Sequence, residues 1–231
     1  MNKIIGIIGA MDIEVDGIIS SMTNTQIQEY GAIKFVLGKL FDKDVVVSKC
    51  GIGKVFSAIC AQTMILKYNP ACIINSGVAG TLCDDLSVLD AVIATNVVQH
   101  DMDTSPIGDP KGLISGINVV YMETNKKVSS ILENTVKTLE INVKCGTIAS
   151  GDQFIADENR KKEIRDTFGA IACEMEGASI GQVCYVNKVP FAIMRTISDG
   201  KGEAMDYMTF SKVAAQKSIQ IIKQFINNYE V

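Results

Sequence analysis

Lys3-Ile4-Ile5-Gly6-Ile7-Ile8-Gly9-Ala10-Met11-Asp12-Ile13-Glu14 is the stretch whose reading decides the fold. An apolar run with no alternation, interrupted only by glycine, reads as a strand buried on both faces, here Lys3 to Ala10. Gly6 and Gly9 let another backbone or side chain approach closely. The run stops at an acidic step, and Asp12 to Met22 reads as a helix with Asp12 as its N-cap.

The same alternation continues outward. Ile33 to Leu40 and Val45 to Ser48 read as a hairpin around Asp42-Lys43. Gly51 to Lys67 carries Val55, Ala58, Ile59, Gln62 and Leu66 at helical spacing and ends at Asn69-Pro70. Ala71 to Asn75 and Asp90 to Val98 are buried-type strands. Residues 101–118, rich in Gly, Pro and Asp, form the longest irregular stretch, a length that in compact domains is often functional. Val128 to Leu139 is a helix, Val143 to Ser150 a strand, Asp157 to Phe168 a charged helix and Gly177 to Asn187 a helix of small residues. Lys188-Val189-Pro190 starts another strand, and Tyr207 to Tyr229 is a long amphipathic closing helix. Strands alternating with helices predict an α/β three-layer sandwich, a central mixed, twisted sheet flanked by helices, with residues 1–231 as a single domain.

Composition narrows the function. The 231 residues are 47% hydrophobic and 21% charged, enough for one substantial core. The net charge is -4, and the densest basic runs, Lys126-Lys127 and Arg160-Lys161-Lys162, read as solvated helix faces, so no nucleic-acid partner is expected. The seven cysteines form no CxxC pair and are odd in number; they read as buried hydrophobes of a reducing compartment. His100 is the only histidine, so no zinc site is expected. No run is long enough to span a membrane. The N-terminal run is followed by acids and by no small-residue cleavage pattern, so it reads as a strand and not a signal peptide, and the cytoplasm is the expected location.

Candidate chemistry lies where apolar runs end. Ile4 to Met11 runs into Glu14, Ile171-Ala172-Cys173 into Glu174-Met175-Glu176, and Phe191-Ala192-Ile193-Met194 into Arg195-Thr196-Ile197-Ser198-Asp199. Ligands of open α/β sheets bind beyond the carboxyl ends of strands, so acids at three such ends can share one cleft. Carboxylates in a partly dry cleft hold different pKa values and divide acid and base roles. Each acid also has a plain reading. An acid in the first turn of a helix, such as Glu14, is favoured by the helix dipole, and Asp199 before Gly200 suits an Asx turn. Gly51-Ile52-Gly53-Lys54 is not a dinucleotide fingerprint, because Phe56 and Ser57 stand where a third glycine belongs. It reads instead as a turn whose N–H groups can meet an anion or polar ligand, and Asn75-Ser76-Gly77-Val78-Ala79-Gly80 as a second such turn.

Taken in order, these pieces resemble bacterial 5'-methylthioadenosine/S-adenosylhomocysteine nucleosidases, of the nucleoside phosphorylase superfamily. The matching segments are Gly6 to Met11 with Glu14, Gly51 to Val55, Asn75 to Gly80, Ser150-Gly151-Asp152 with Phe154-Ile155, Glu174-Met175-Glu176, and Arg195 with Ser198-Asp199. The resemblance implies hydrolysis of the bond between adenine and a 5'-thio-substituted ribose. Asp199 would protonate adenine N7 and Glu14 would activate the water. Glu176 would bind the ribose hydroxyls, and Met175 would pack on the sugar. Phe154 would stack on adenine and the Ile155 backbone would read its edge. Ser198 would steady Asp199, Arg195 would support the acids electrostatically, and Ile52, Val78, Ala79, Gly80 and Glu174 complete the binding set. Inversion at C1' is expected, as in glycosidases that set a water opposite the leaving group. The family needs no metal or organic cofactor and is usually homodimeric. Its loop corresponding to 101–118 covers the partner's ligand, which gives Ile107 here a place near the partner's site. The chain departs from the family's pattern at Tyr207, which stands where the family has Phe. Gly200 and Gly202 predict a mobile lid over residues 200–206.

On the same scaffold, a purine nucleoside phosphorylase would use phosphate in place of water. It would need cationic partners, and the first Arg in the chain is Arg160. A non-catalytic nucleoside-binding protein would need neither Glu14 nor Asp199.

Overall fold

A computed structural model describes residues 4–199 and 204–230, with the backbone alone for 204–206 and 208. The expected lid over 200–206 falls outside what is described, save that the closing helix begins at Ala204.

The deciding stretch forms β1 (Ile5–Gly9), buried at every residue. Its side chains alternate between two cores. Ile5 and Ile7 pack with Val15 and Ile18 of α1 (Asp12–Ile19), Leu132 of α3 (Lys126–Thr138) and Phe225 of α6 (Ala204–Asn228). Ile8 packs with Cys60 and Met64 of α2 (Lys54–Tyr68) and Cys184 of α5 (Gly177–Asn187). A Cβ on Gly6 would stand 2.5 Å from Met64 Sδ, so only glycine lets α2 lie this close. Helices cover both faces of the sheet, the three layers expected.

The sheet is mixed. β1 pairs in parallel with β4 (Lys43–Lys49) on one side and β5 (Cys72–Thr81) on the other. Beyond β4 lie β3 (Ile33–Leu40) and then β2 (Thr23–Tyr30), both antiparallel. On the other side, β5 pairs in parallel with β10 (Phe191–Asp199), and β10 pairs antiparallel with β6 (Ala91–Gln99). β6 then pairs in parallel with β8 (Val143–Ser150), and β8 with β9 (Ala170–Glu174). β9 returns to β5 through Cys173 and Ala172 opposite Gly80 and Thr81. These five strands close a ring, with the two-residue β7 (Met122–Glu123) attached to β6. α4 (Glu158–Phe168) covers a third core at the end of the ring, where Ile164 and Phe168 meet Val98 and Ala149.

Three expectations need correction, and one strand was not foreseen. Asp12 is not the N-cap of α1: Met11 is, and the Asp12 carboxylate pairs with Lys49 at 2.7 Å. Glu14 reaches back from the third helical position and accepts from the Met11 and Ala10 N–H groups, which does the capping instead. Residues 75–80 are not a turn, because β5 runs on to Thr81 between its two parallel neighbours. Likewise β10 does not stop at Met194 but continues to Asp199, buried throughout. The unforeseen strand is β2, since Thr23–Tyr30 is polar and mostly exposed, an edge strand with no buried face to pattern. Inside the irregular stretch 101–118, Ser105–Ile107 forms a short 3-10 turn.

Candidate active site

The carboxyl ends of β1, β5, β9 and β10 meet at one cleft. Its lining includes Ala10, Met11 and Glu14 after β1, Val78, Ala79 and Gly80 from β5, Cys173 to Glu176 from the end of β9, and Ser198 and Asp199 from the end of β10. Ile52 from the turn before α2, Gln153, Phe154 and Ile155 from the loop after β8, and Tyr207 from α6 complete it. The three separated acidic segments therefore converge, as their strand-end positions predict.

Glu14 serves as helix cap and as cleft residue at once. Its Oε2 accepts from Ala10 N at 2.7 Å and Met11 N at 3.0 Å, while Oε1 accepts from Val78 N on β5 at 3.1 Å. Burial pushes its pKa up, against the pull of the Arg195 charge and of those three N–H groups. A Cβ on Gly77 would lie 2.5 Å from Glu14 Oε1, so the absence of a side chain there makes room for the carboxylate.

Asp199 sits at the last position of β10, where the ladder with β5 shifts register between Ile197 and Asp199. Such a bulge re-aims a side chain. Ser198, the extra residue, donates its hydroxyl to Asp199 Oδ1 at 2.8 Å. Asp199 Oδ2 occupies the space a side chain on Gly80 would take, 2.7 Å from its Cβ position.

Glu174 and Glu176 divide differently. Glu174 is engaged on both oxygens, by the Ser150 hydroxyl, by Gly177 N at 2.8 and 3.0 Å, by Glu176 N at 3.1 Å and by the Arg195 guanidinium. It anchors the start of α5 and touches the cleft from that position. Glu176 accepts from Gly53 N at 2.9 Å through Oε1. Burial first, then the negative charges of Glu174 and Glu14, push the Glu176 pKa up, with Arg195 and the Gly53 N–H opposing. Lys54 N donates to Asp152 Oδ1 at 2.7 Å. The turn Gly51-Ile52-Gly53-Lys54 thus does present N–H groups, those of Gly53 and Lys54, to anions, and the anions are the protein's own carboxylates. Gly51 and Gly53 have φ of +92° and +98°, which only glycine adopts without strain.

Arg195, expected among the binding residues, and Ile107, expected near a partner's site, do not line the cleft. Arg195 is fully buried beneath it, with its guanidinium spent on Glu174, on the Asn75 side chain and on the Asn75 and Met194 carbonyls. Its charge opposes the upward pKa shifts of Glu14 and Glu176. Ile107 is 82% exposed and does not line the cleft. Met175, Phe154, Ile155, Ile52, Val78, Ala79, Gly80 and Tyr207 all line it. Ala10, Met11, Gln153 and Cys173 line it as well and were missed as site residues. Their positions beside Glu14, Phe154 and Glu174 were the available signal. His100 stays outside, packed against Gly151.

A mixed α/β sheet with an acid-lined cleft at its strand ends defines the class, and the family model agrees: the chain belongs to the phosphorylase superfamily, matched over residues 4–227. It is 41% identical over 196 residues to the 5'-methylthioadenosine/S-adenosylhomocysteine nucleosidase of Shewanella loihica, across 84% of this chain and 85% of that one. It is 36% identical over 203 residues to the aminodeoxyfutalosine nucleosidase of Campylobacter jejuni, across 88% of each. Among solved structures it superposes on the 5'-methylthioadenosine/S-adenosylhomocysteine nucleosidase of Neisseria meningitidis in complex with methylthio-immucillin-A. The TM-score there is 0.94, with 30% identity across 98% of this chain and 100% of that one.

Proposed function

We propose that this protein hydrolyses the N-glycosidic bond of 5'-methylthioadenosine and S-adenosylhomocysteine, releasing adenine and the 5'-thio-substituted ribose. The observation that carries the reading is the meeting of Glu14, Glu176 and Asp199 in one cleft whose described lining residues include no Lys, Arg or His. A phosphate dianion entering this cleft would face carboxylates without a cation to hold it, whereas a water would find bases. Hydrolysis is therefore favoured over phosphorolysis.

In the proposed mechanism Asp199 gives its proton to adenine N7. The Ser198 hydroxyl donates to its Oδ1 at 2.8 Å and steadies the carboxyl group. Glu14, held by three N–H groups, orients and deprotonates the water. The Glu176 carboxylate is fixed through Oε1 by Gly53, and Oε2 accepts from the ribose hydroxyls. Burial of Glu14 and Glu176 makes their negative charge unfavourable in the free protein. A ribose ring acquiring oxocarbenium charge between them reverses that sign. The interaction is then stronger in the transition state than in the ground state, the condition for catalysis. Phe154 and Ile155 receive the adenine, and Met175 packs on the sugar. Arg195 holds Glu174 and tempers the charge from below.

The same reading takes residues 1–231 as one catalytic domain, supported by the single sheet that both core layers share. A homodimer is part of it, supported by an apolar stripe along α2 (Val55, Phe56, Ile59) at least half exposed at each residue. Ile107 would then meet the partner's cleft. Residence in the cytoplasm is supported by cysteines that are all free thiols. Among the described residues no helix is long and apolar enough to cross a membrane.

Adenine release from methylthioadenosine in phosphate-free buffer tests the proposal. Multiple turnovers without phosphate are expected. Release that starts only when phosphate is added would make the protein a phosphorylase.

A further inference from the structure

Asp152 stands between β8 and Phe154 and does not line the cleft. Its carboxylate acts on another element. α2 begins at Lys54 behind Gly53, and Gly53 has no side chain with which to cap it. Asp152, 98 residues away in the chain, takes that place: its Oδ1 accepts from Lys54 N at 2.7 Å. The same oxygen lies 3.0 Å from where a Cβ on Gly53 would stand. Asp152 is fixed in turn. Its N–H donates to Asp101 Oδ2 at 2.9 Å, and Asp101 Oδ1 accepts from Lys54 Nζ at 2.6 Å. The three residues close a ring that joins the end of β6, the loop after β8 and the start of α2.

Two neighbouring N–H groups of one turn therefore hold two carboxylates from distant parts of the chain. Lys54 N holds Asp152, and Gly53 N holds Glu176 at 2.9 Å. Glycine is conformationally permissive, so the direction of the Gly53 N–H is set in part by what holds the next peptide. Resting on the proposed function, in which Glu176 binds the ribose, we infer that Asp152 is a positioning residue. By capping α2 from the loop after β8, it keeps the Gly53 N–H on Glu176.

A cap that served stability alone would leave Glu176 unaffected, and the sign of one measurement separates the two roles. Removing a nearby negative charge lowers a carboxyl pKa, whereas removing an N–H donor raises it. The other groups that face Glu176 are Glu174 of β9, Arg195 of β10, Glu14 of α1, Cys50 after β4 and Tyr207 of α6, and the variants below keep them all. Asp152 is exposed, so replacing it opens no cavity.

The test is carbon-13 NMR titration of the Glu176 carboxyl, with kcat/KM read from adenine release on methylthioadenosine. In Asp152→Ala the midpoint is expected to move up by about 0.5 to 1 pH unit, the worth of one hydrogen bond. At pH below both midpoints kcat/KM is expected to fall by about 3- to 10-fold, as the ionised form of Glu176 is lost. Asp152→Asn removes the charge but keeps an acceptor for Lys54 N, and no upward movement is expected. Asp152→Glu keeps the charge but sets the carboxylate one methylene further out. It is expected to raise the midpoint as Asp152→Ala does, and carries the test if the alanine variant does not fold. A midpoint unmoved or lowered in these two variants, or raised equally in Asp152→Asn, would make Asp152 a helix cap only and overturn the inference. Failure of the unaltered protein to release adenine would instead overturn the nucleosidase reading, and with it the roles given to Glu176 and Asp152.

Discussion

Glu14 shows how a structural and a chemical duty can fall on one carboxylate. In sequence it is an ordinary first-turn acid, and in the structure it does cap α1, yet its other oxygen reaches β5 and the residue lines the cleft. The acids were legible because each follows an apolar run. Their division of labour was not. Glu174 and Glu176 are two residues apart, yet one is saturated by Arg195 and the start of α5 while the other faces the cleft, a difference set by partners distant in the chain. The raised pKa values of Glu14 and Glu176 carry a prediction for stability. In the unfolded chain both titrate near 4.5, and in the folded protein higher. Between those values the folded state holds protons that the unfolded state has released, so these groups contribute most at low pH and their contribution is lost as pH rises. Glu176→Gln is therefore expected to be increasingly more stable than the unaltered protein as pH rises from about 5 to about 7, by up to about 1.4 kcal/mol per pH unit. Urea denaturation at several pH values checks this, and a difference that stays constant with pH would contradict it.

At the scale of elements, the sequence indicated most helices and strands to within a few residues, because helical spacing and buried apolar runs are local signals. Where it misled, the cause was non-local. The glycines of residues 75–80 suggest a turn, but they belong to a central strand and are small because two carboxylates from other elements press on it. β10 looked finished at Met194 because Arg195, Thr196 and Ser198 are polar. They are buried there with partners: Asn75 of β5 and Glu174 of β9 for Arg195, Ser218 of α6 for Thr196, and the Ala79 carbonyl and Asp199 for Ser198. The bulge at Ser198 is likewise invisible without the neighbouring strand. This account makes Gly80 a determinant of the Asp199 position. Gly80→Ala puts a Cβ 2.7 Å from Asp199 Oδ2, closer than contact allows, and the carboxylate must move. A misplacement approaching 1 Å at a reacting group lowers rate by about 100-fold. The expected outcome is a large loss of kcat with the cooperative unfolding transition retained. Near-normal turnover would show that the position of Asp199 is not what the geometry implies.

For the whole molecule, closure of five strands into a ring brings the ends of β5, β9 and β10 to one point, while β1 delivers Glu14 from the open side. The layered α/β class was legible from alternation alone, but the ring was not, since it depends on β10 pairing with both β5 and β6. The exposed stripe on α2 belongs to this scale too. Sedimentation equilibrium is expected to give about twice the 24.9 kDa chain mass, and a species at the chain mass would contradict the homodimer. The central claim is that a water, served by Glu14, takes the place phosphate occupies in a phosphorylase. It is tested most directly by turning over methylthioadenosine in oxygen-18 water containing phosphate and identifying the sugar product by mass spectrometry and NMR. The account predicts methylthioribose labelled at C1' and formed with inversion. Methylthioribose 1-phosphate without the label would contradict it.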